Sequence, residues 1–370
     1  MLKIAIDARM LNNSGIGTYL QIMIPKLLKN YDLVILGRKD EICKFSWSAD
    51  VSMIEFNNGI YSIGEQLTAP IKIPSCDIFI SPHYNIPILP IRARKRIVII
   101  HDVYHLAHSD QLTLPRKLYA KLMMYLAVKL SDRIITVSQF SRSEILKYNN
   151  ADTSRISIVY PGFDFKNFSE NLIDIEYVQK KYQLPSKYLL FVGNVKPHKN
   201  LYNLLQAFEK ILSRVSELRL VIVGEYKKLL TSDSKSFKLI ENNSVLKANT
   251  QFTGYVKRDE LIHIYKIAEA LIFPSFYEGF GIPPIEAMAC SCPVIASNVS
   301  SIPEVCGDAA LYFDPSNIND MESKITKTIL DDTLRKDLIQ KGLNNVTRFS
   351  GEYFSDGLNK IINSLTNENQ

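Results

Sequence analysis

The side chains best spaced for chemistry lie in Pro274–Pro293, which reads PSFYEGFGIPPIEAMACSCP. Two carboxylates, Glu278 and Glu286, stand eight positions apart there. Between them Gly279 and Gly281 bracket Phe280, and Pro283 and Pro284 open a predicted helix with Glu286 in its first turn. Gly281 lets the backbone approach a ligand where a Cβ would clash. A helix N-terminus offers unpaired N–H groups and the positive end of a dipole, so an anion is favoured there. The two prolines have no N–H, which leaves the amides of Phe280, Gly281, Ile282 and Ile285 as donors. Each carboxylate can accept two hydrogen bonds from a vicinal diol. A plainer reading is a glycine turn followed by an acidic residue at a favourable helix position.

Two carboxylates flanking an anion site suit a ligand with phosphate between two hydroxylated rings, which describes a nucleotide-sugar. The run Glu278-Gly279-Phe280-Gly281 followed by Glu286 resembles the E-x(7)-E motif of the retaining, family-four (group 1) glycosyltransferases. Pro293-Val294-Ile295-Ala296-Ser297 and Ile302-Pro303-Glu304-Val305 are similar to that family's continuation. The resemblance covers nearly the whole chain and is most specific between Phe273 and Pro315. Within the family, Gly193–Asn200 and Ala296–Pro315 look most like bacterial mannosyltransferases of O-antigen and capsule assembly.

The elements that position these residues alternate between strand and helix patterns. Strands are predicted at Lys3–Asp7, Leu33–Leu36, Val51–Phe56, Asp77–Ile80, Arg96–Ile100 and Arg133–Val137. A second series runs through Tyr188–Val192, Arg219–Val223, Thr250–Thr253, Ala270–Phe273, Pro293–Ala296 and Ala310–Phe313. Helical patterns intervene, notably Thr18–Lys29, Arg116–Lys129, Leu201–Val215, Arg258–Glu269, Ile318–Leu330 and Leu334–Arg348. Such alternation predicts an α/β protein with parallel, doubly wound sheets. A turn at Tyr160-Pro161-Gly162 and the polar stretch Lys166–Ile175 mark a linker. The expected domains are residues 1–165, 166–350 and a terminal helix over 351–370. The resemblance implies GT-B architecture: two Rossmann-like domains facing each other across a cleft, with the last helix crossing back to the first. The first would bind acceptor and the second nucleotide-sugar.

Ligands of open α/β sheets sit beyond the carboxyl ends of strands, and several marked residues fall there. Gly15 and Gly17 follow the first strand; a tight turn explains them as well as a ligand does. His101 and Asp102 end the run Ile97–Ile100. Gly193-Asn194-Val195-Lys196-Pro197-His198-Lys199-Asn200 joins a strand to a helix, and its lysines suit a phosphate. By resemblance, His101 contacts the donor sugar near the reacting carbon, and the Gly15–Gly17 loop closes over a ligand. Lys199 matches the family's diphosphate lysine. Asn194 stands where the family usually has arginine, so Lys196 is the substitute, without bidentate geometry. Gly254-Tyr255-Val256-Lys257 resembles the loop that receives the nucleobase through its backbone. Glu278 would bind sugar hydroxyls, Glu286 the ribose diol, and the Gly279–Ile282 backbone the phosphates.

The activity implied is transfer of a hexose, with retention, from a nucleoside diphosphate donor to a hydroxyl of a glycan or lipid-linked acceptor. GDP-mannose is the first choice of donor and a UDP-sugar such as UDP-glucose the second. In the family the departing phosphate is thought to take the acceptor proton on the same face. Stabilising that leaving group is then the main catalytic contribution. The chain has no DxD of the kind that holds a divalent ion, so neither metal nor other cofactor is expected. A sugar-nucleotide epimerase or phosphorylase on the same architecture, and a catalytically silent binding subunit, are the alternatives.

The whole chain sets bounds. Its 370 residues suggest two domains at about 150 residues each. The apolar fraction of 46% and charged fraction of 22% are those of a soluble globular protein. The start, Met1–Asp7, reads as a strand, not a leader, and no run approaches the ~18 apolar residues of a membrane span. Five scattered cysteines without CxxC pairs suit a reducing compartment, so a cytoplasmic location is expected. Residues 1–165 hold 20 Lys+Arg and 14 Asp+Glu, which is the whole net charge of +6, since 166–370 hold 24 of each. A basic half suits phosphates or the inner face of an anionic membrane, and no nucleic-acid motif accompanies it. Pro115–Tyr125 places Lys117 and Lys121 beside Leu118, Leu122 and Tyr125, which could rest on such a membrane. An ordinary helix with those apolar residues in the core is preferred.

Overall fold

The computed structural model describes residues 1–165 and 174–367, so the expected linker at Lys166–Ile175 lies, but for Asp174 and Ile175, outside the described residues. The chain divides into two compact units, Met1–Phe163 with Phe349–Gln370, and Asp164–Arg348. The breaks thus fall at 163/164 and 348/349, not at 165/166 and 350/351. The cause is local: the Phe163 N–H donates to the Phe349 carbonyl at 2.8 Å, and the Gly351 N–H to the Phe163 carbonyl at 3.1 Å.

The first unit is built on seven parallel strands: β1 (Lys3–Asp7), β2 (Asp32–Gly37), β3 (Ser52–Glu55), β4 (Cys76–Ser81), β5 (Ala93–Ile100), β6 (Arg133–Thr136) and β7 (Ile156–Ile158). They lie in the order β3-β2-β1-β4-β5-β6-β7. β7, of only three residues, escapes the sequence reading. β4 runs into its parallel neighbour β5 through irregular residues 82–92 with no crossover helix. The second unit has six: β8 (Tyr188–Val192), β9 (Arg219–Val223), β10 (Thr250–Phe252), β11 (Ala270–Phe273), β12 (Val294–Ser297) and β13 (Ala310–Phe313). Their order is β10-β9-β8-β11-β12-β13.

Parallel strands covered on both faces need continuous apolar runs, as YLLFV in β8 and ALIF in β11 supply. The helix Leu201–Leu212 buries Leu201, Leu204, Leu205, Phe208, Ile211 and Leu212, an i, i+3, i+4, i+7 stripe that closes one face of the second sheet. In the first unit the last helix, Gly351–Asn367, lies on the helix Ser14–Leu28. There the Tyr31 hydroxyl donates to Asn359 Oδ1 at 2.9 Å, and the Phe354 ring meets Tyr19 edge-on at 5.1 Å. The last helix returning to the first unit is therefore as expected.

One helix departs from expectation. Leu114–Leu130 does bury an apolar face, but through Ala120, Met123, Met124, Ala127 and Val128. Leu118, Leu122 and Tyr125, expected in the core, are exposed. The packed face takes the small and flexible side chains because these fit against β5 and β6, where Val98, Ile100 and Ile134 meet them.

Candidate active site

Each sheet reverses its strand order once, and ligands of such sheets sit at that switch point, beyond the carboxyl ends of the strands. In the second unit the switch lies between β8 and β11. The loops that leave those strands are residues 193–200 and 274–281, the two segments singled out by sequence. The structure brings them together. Lys199 Nζ meets Glu278 Oε1 at 2.6 Å, with both side chains largely buried. Asn200, in the left-handed region at φ 60°, donates from Nδ2 to the carbonyls of Pro274 (3.0 Å) and Pro315 (2.8 Å). The Phe276 N–H donates to the His198 carbonyl at 2.8 Å. Two loops distant in sequence thus form one rigid rim.

Serines from after β12 hold this rim in place. Ser300 Oγ accepts from the Glu278 N–H at 3.2 Å. Ser301 Oγ donates to the carbonyls of Glu278 (3.0 Å) and Phe280 (2.9 Å). Sequence reasoning missed both, because a serine pair before Ile302-Pro303 reads as a helix cap. Gly279 and Phe280 are buried, and Gly281 adopts φ 98°, a conformation that side chains rarely tolerate. The helix that follows is Ile282–Ala289, so it starts one residue before Pro283. Glu286 therefore sits a full turn in, not in the first turn, because the helix starts at Ile282, directly after the left-handed Gly281.

Glu286 is buried, and its surroundings explain how it stays useful. The Tyr265 hydroxyl donates to Oε2 at 3.2 Å, and Arg258 Nη2 stands 3.5 Å from Oε1. Burial pushes the Glu286 carboxyl above the usual range, and Arg258 and Tyr265 pull it back. Both partners lie on the helix Arg258–Lys266, seven residues apart. Neither was foreseen, since nothing in a lone tyrosine or arginine marks it as the partner of a carboxylate in another helix.

The remaining predicted residues of this unit are more open. Asn194 and Lys196 are exposed, and a Cβ added at Gly193 would meet nothing within 4 Å. The Val256 side chain is buried, while Gly254 in the same loop takes φ 74° and donates its N–H to the Gly224 carbonyl at 3.1 Å.

In the first unit the switch lies between β1 and β4. After β1, Gly15 has open space where a Cβ would be, but at Gly17 a Cβ would stand 2.5 Å from the Leu11 carbonyl oxygen. Gly17 is thus required by a close backbone approach. His101 ends β5, and its Nε2 lies 3.1 Å from the Pro82 carbonyl, which fixes Nε2 as the protonated nitrogen. Burial lowers its pKa to about 4, with Asp102 and that carbonyl offsetting part of the shift. Asp102 accepts from the Tyr104 N–H at 2.9 Å, so the carbonyl of Pro82, not Asp102, orients the ring. Residues 82–92 also supply His83, whose pKa burial, His101 and His105 together lower to about 3. Beside it a buried network runs from Asp7 through Arg9 and Glu65 to Asn85, which accepts from the exposed Tyr119.

Comparisons with known proteins fit this geometry. The family model of glycosyl transferases group 1 matches residues 174–345, and that of glycosyltransferase family 4 matches residues 62–167. O-antigen chain mannosyltransferase B of Escherichia coli is 31% identical over 71% of this chain and 69% of its own length. The chain belongs to the group 1 glycosyltransferases. O-antigen chain mannosyltransferase RfbU of Salmonella typhimurium is 30% identical over 72% of this chain and 69% of its own. Among solved structures, the Anabaena protein HepE in complex with UDP-glucose superposes with a TM-score of 0.78 at 16% identity, covering 99% of this chain and 100% of its own. That likeness establishes the shared GT-B fold of this glycosyltransferase.

Proposed function

We infer that the enzyme moves mannose from GDP-mannose, with retention and without a metal ion, to a hydroxyl of a glycan or lipid-linked acceptor in cell-surface polysaccharide assembly. The observation that carries this reading is the Lys199–Glu278 pair at the β8–β11 switch point. An ammonium at hydrogen-bond distance from a carboxylate can serve a diphosphate and a sugar hydroxyl side by side. Lys199 and the Phe280–Ile282 backbone stabilise the departing diphosphate, Glu278 holds the sugar, and Glu286 takes the ribose diol. Neutral His101 keeps an unprotonated Nδ1 as an acceptor near the reacting carbon. The departing phosphate takes the acceptor proton. That two relatives are O-antigen chain mannosyltransferases supports mannose as the sugar. A UDP-sugar is the second reading, supported by the UDP-glucose bound to HepE. Slow hydrolysis followed by proton NMR in a chelator tests the proposal. The first sugar released from GDP-mannose should keep the donor's anomeric configuration, at a rate that added magnesium leaves unchanged. Release of the opposite anomer, or dependence on magnesium, would overturn it.

A further inference from the structure

Tyr61 combines exposure with a strained backbone. The residue is 48% exposed, yet its φ is 68°, in the left-handed region that a bulky side chain rarely adopts. Such a conformation costs energy, persists only where its surroundings impose it, and clusters at ligand sites. Here the surroundings are identifiable. The Tyr61 N–H donates to Glu65 Oε1 at 2.9 Å, and Glu65 is buried, with Arg9 Nη1 2.7 Å from its other oxygen. The Arg9 guanidinium in turn lies 4.1 Å from the centre of the Phe56 ring. A buried ion pair therefore holds an exposed aromatic residue in one place.

That place belongs to the first switch point. Tyr61 lies in the loop that follows β3, His83 and Asn85 in the one that follows β4, and Asp102 in the one that follows β5. All three loops leave the carboxyl edge of one parallel sheet. The Tyr61 hydroxyl and His83 Nε2 are 3.4 Å apart, and the two rings meet edge-on at 5.7 Å. The Tyr119 ring meets Tyr61 edge-on at 6.1 Å. Neither neighbour lies parallel to the Tyr61 ring, and nearly half of the residue faces solvent.

Charge decides what such a ring meets. Glu65 and Asp102 both act on the Tyr61 hydroxyl through their negative charge. The Arg9 guanidinium is already held by Asp7 and Glu65. His83 and His101 add no charge, because burial keeps both neutral. Aromatic surface and hydrogen-bonding groups thus sit in an excess of negative charge, which repels a phosphate or a carboxylate. A sugar ring without charge suits this place. One face of a pyranose presents C–H groups that rest on the negative face of an aromatic ring, while its hydroxyls reach the polar groups around it.

We propose that Tyr61 is the stacking platform for the acceptor and that it selects an uncharged sugar ring over an anionic one. The proposal rests on the glycan acceptor of the proposed function and names the part of it that is recognised. GDP-mannose hydrolysis by the wild type needs no acceptor, so its failure would fall on the proposed function and leave the Tyr61 site standing.

The test is saturation-transfer NMR on the full chain with the methyl glycosides of mannose, glucose and galactose, each beside its hexuronate. At least one neutral glycoside should bind, with transfer strongest to the C–H protons of one ring face, and its hexuronate should bind about tenfold more weakly or not at all. Tyr61→Gly removes the ring and suits the left-handed backbone. It should therefore unfold at or above the wild-type temperature while losing about tenfold or more in neutral-sugar binding. Tyr61→Phe keeps the ring and should bind within about threefold of the wild type. The proposal would be overturned if no neutral glycoside bound, or if hexuronates bound as tightly. It would also be overturned if Tyr61→Gly bound like the wild type, or lost binding only together with a fallen unfolding temperature.

Discussion

The two switch points solve the same problem in opposite ways. At β8–β11 Lys199 pairs with Glu278 at 2.6 Å, and Arg258 stands 3.5 Å from Glu286. In the proposed function each pair exchanges its partner for a ligand group of the same sign. At β1–β4 the Arg9 guanidinium is shared by Asp7 and Glu65 at 2.6 and 2.7 Å, and the Glu65 side chain is 2% exposed. Those charges are saturated by the protein and hold its helices. The neighbouring histidines stay neutral instead of adding charge. In the proposed function one unit keeps its charges for a ligand, while in the other they hold the structure.

The sharpest way to break this contrast is to remove one cation from each unit. Arg9→Ala leaves two buried carboxylates without their partner and should cost about 3–5 kcal/mol of stability, read by urea unfolding. Lys199→Ala strands one largely buried carboxylate where Arg9→Ala strands two, so it should cost less stability, and it should weaken nucleoside diphosphate binding roughly a hundredfold, read by calorimetry. Equal stability losses in the two variants would erase the distinction. Tyr265→Phe removes only the hydroxyl that steadies Glu286 and should weaken donor binding by about fivefold to tenfold, from one lost hydrogen bond to a charged group.

The histidines give a pH signature. In the unfolded chain His101 titrates near 6.5, but burial in the fold lowers it to about 4. Between those values the unfolded state binds a proton that the folded state refuses. Stability is therefore fully present above pH 6.5 and falls as the pH drops toward 4. His101→Asn should flatten that slope in part, since His83 contributes in the same direction. The smallest effect is a gain: Asn194→Arg, at the exposed position where the family usually has arginine, should tighten diphosphate binding a few-fold.

What the sequence made legible follows from distance along the chain. The carboxylate pair, Gly281 and the Gly193–Asn200 loop are local patterns, each a strand end followed by a helix start, and they were readable. Strands such as β8 and β11 were readable because a doubly covered parallel strand must be apolar throughout. The Asp7–Arg9–Glu65–Asn85–Tyr119 network was not, because its members come from four separate segments far apart in the chain. The same holds for Tyr265 and Arg258 on Glu286. The exposed stripe on Leu114–Leu130 was visible as a pattern, but periodicity alone does not say which apolar face the core takes.

If the β8–β11 switch point binds the nucleotide-sugar through Lys199, removing that lysine should remove donor binding. The most direct test is calorimetric titration of GDP-mannose into the wild type and Lys199→Ala, both in chelator. Saturable binding to the wild type and its near loss in the variant, with both proteins folded, are expected. Equal affinity in the two, or no binding of any nucleotide-sugar to the wild type, would contradict it.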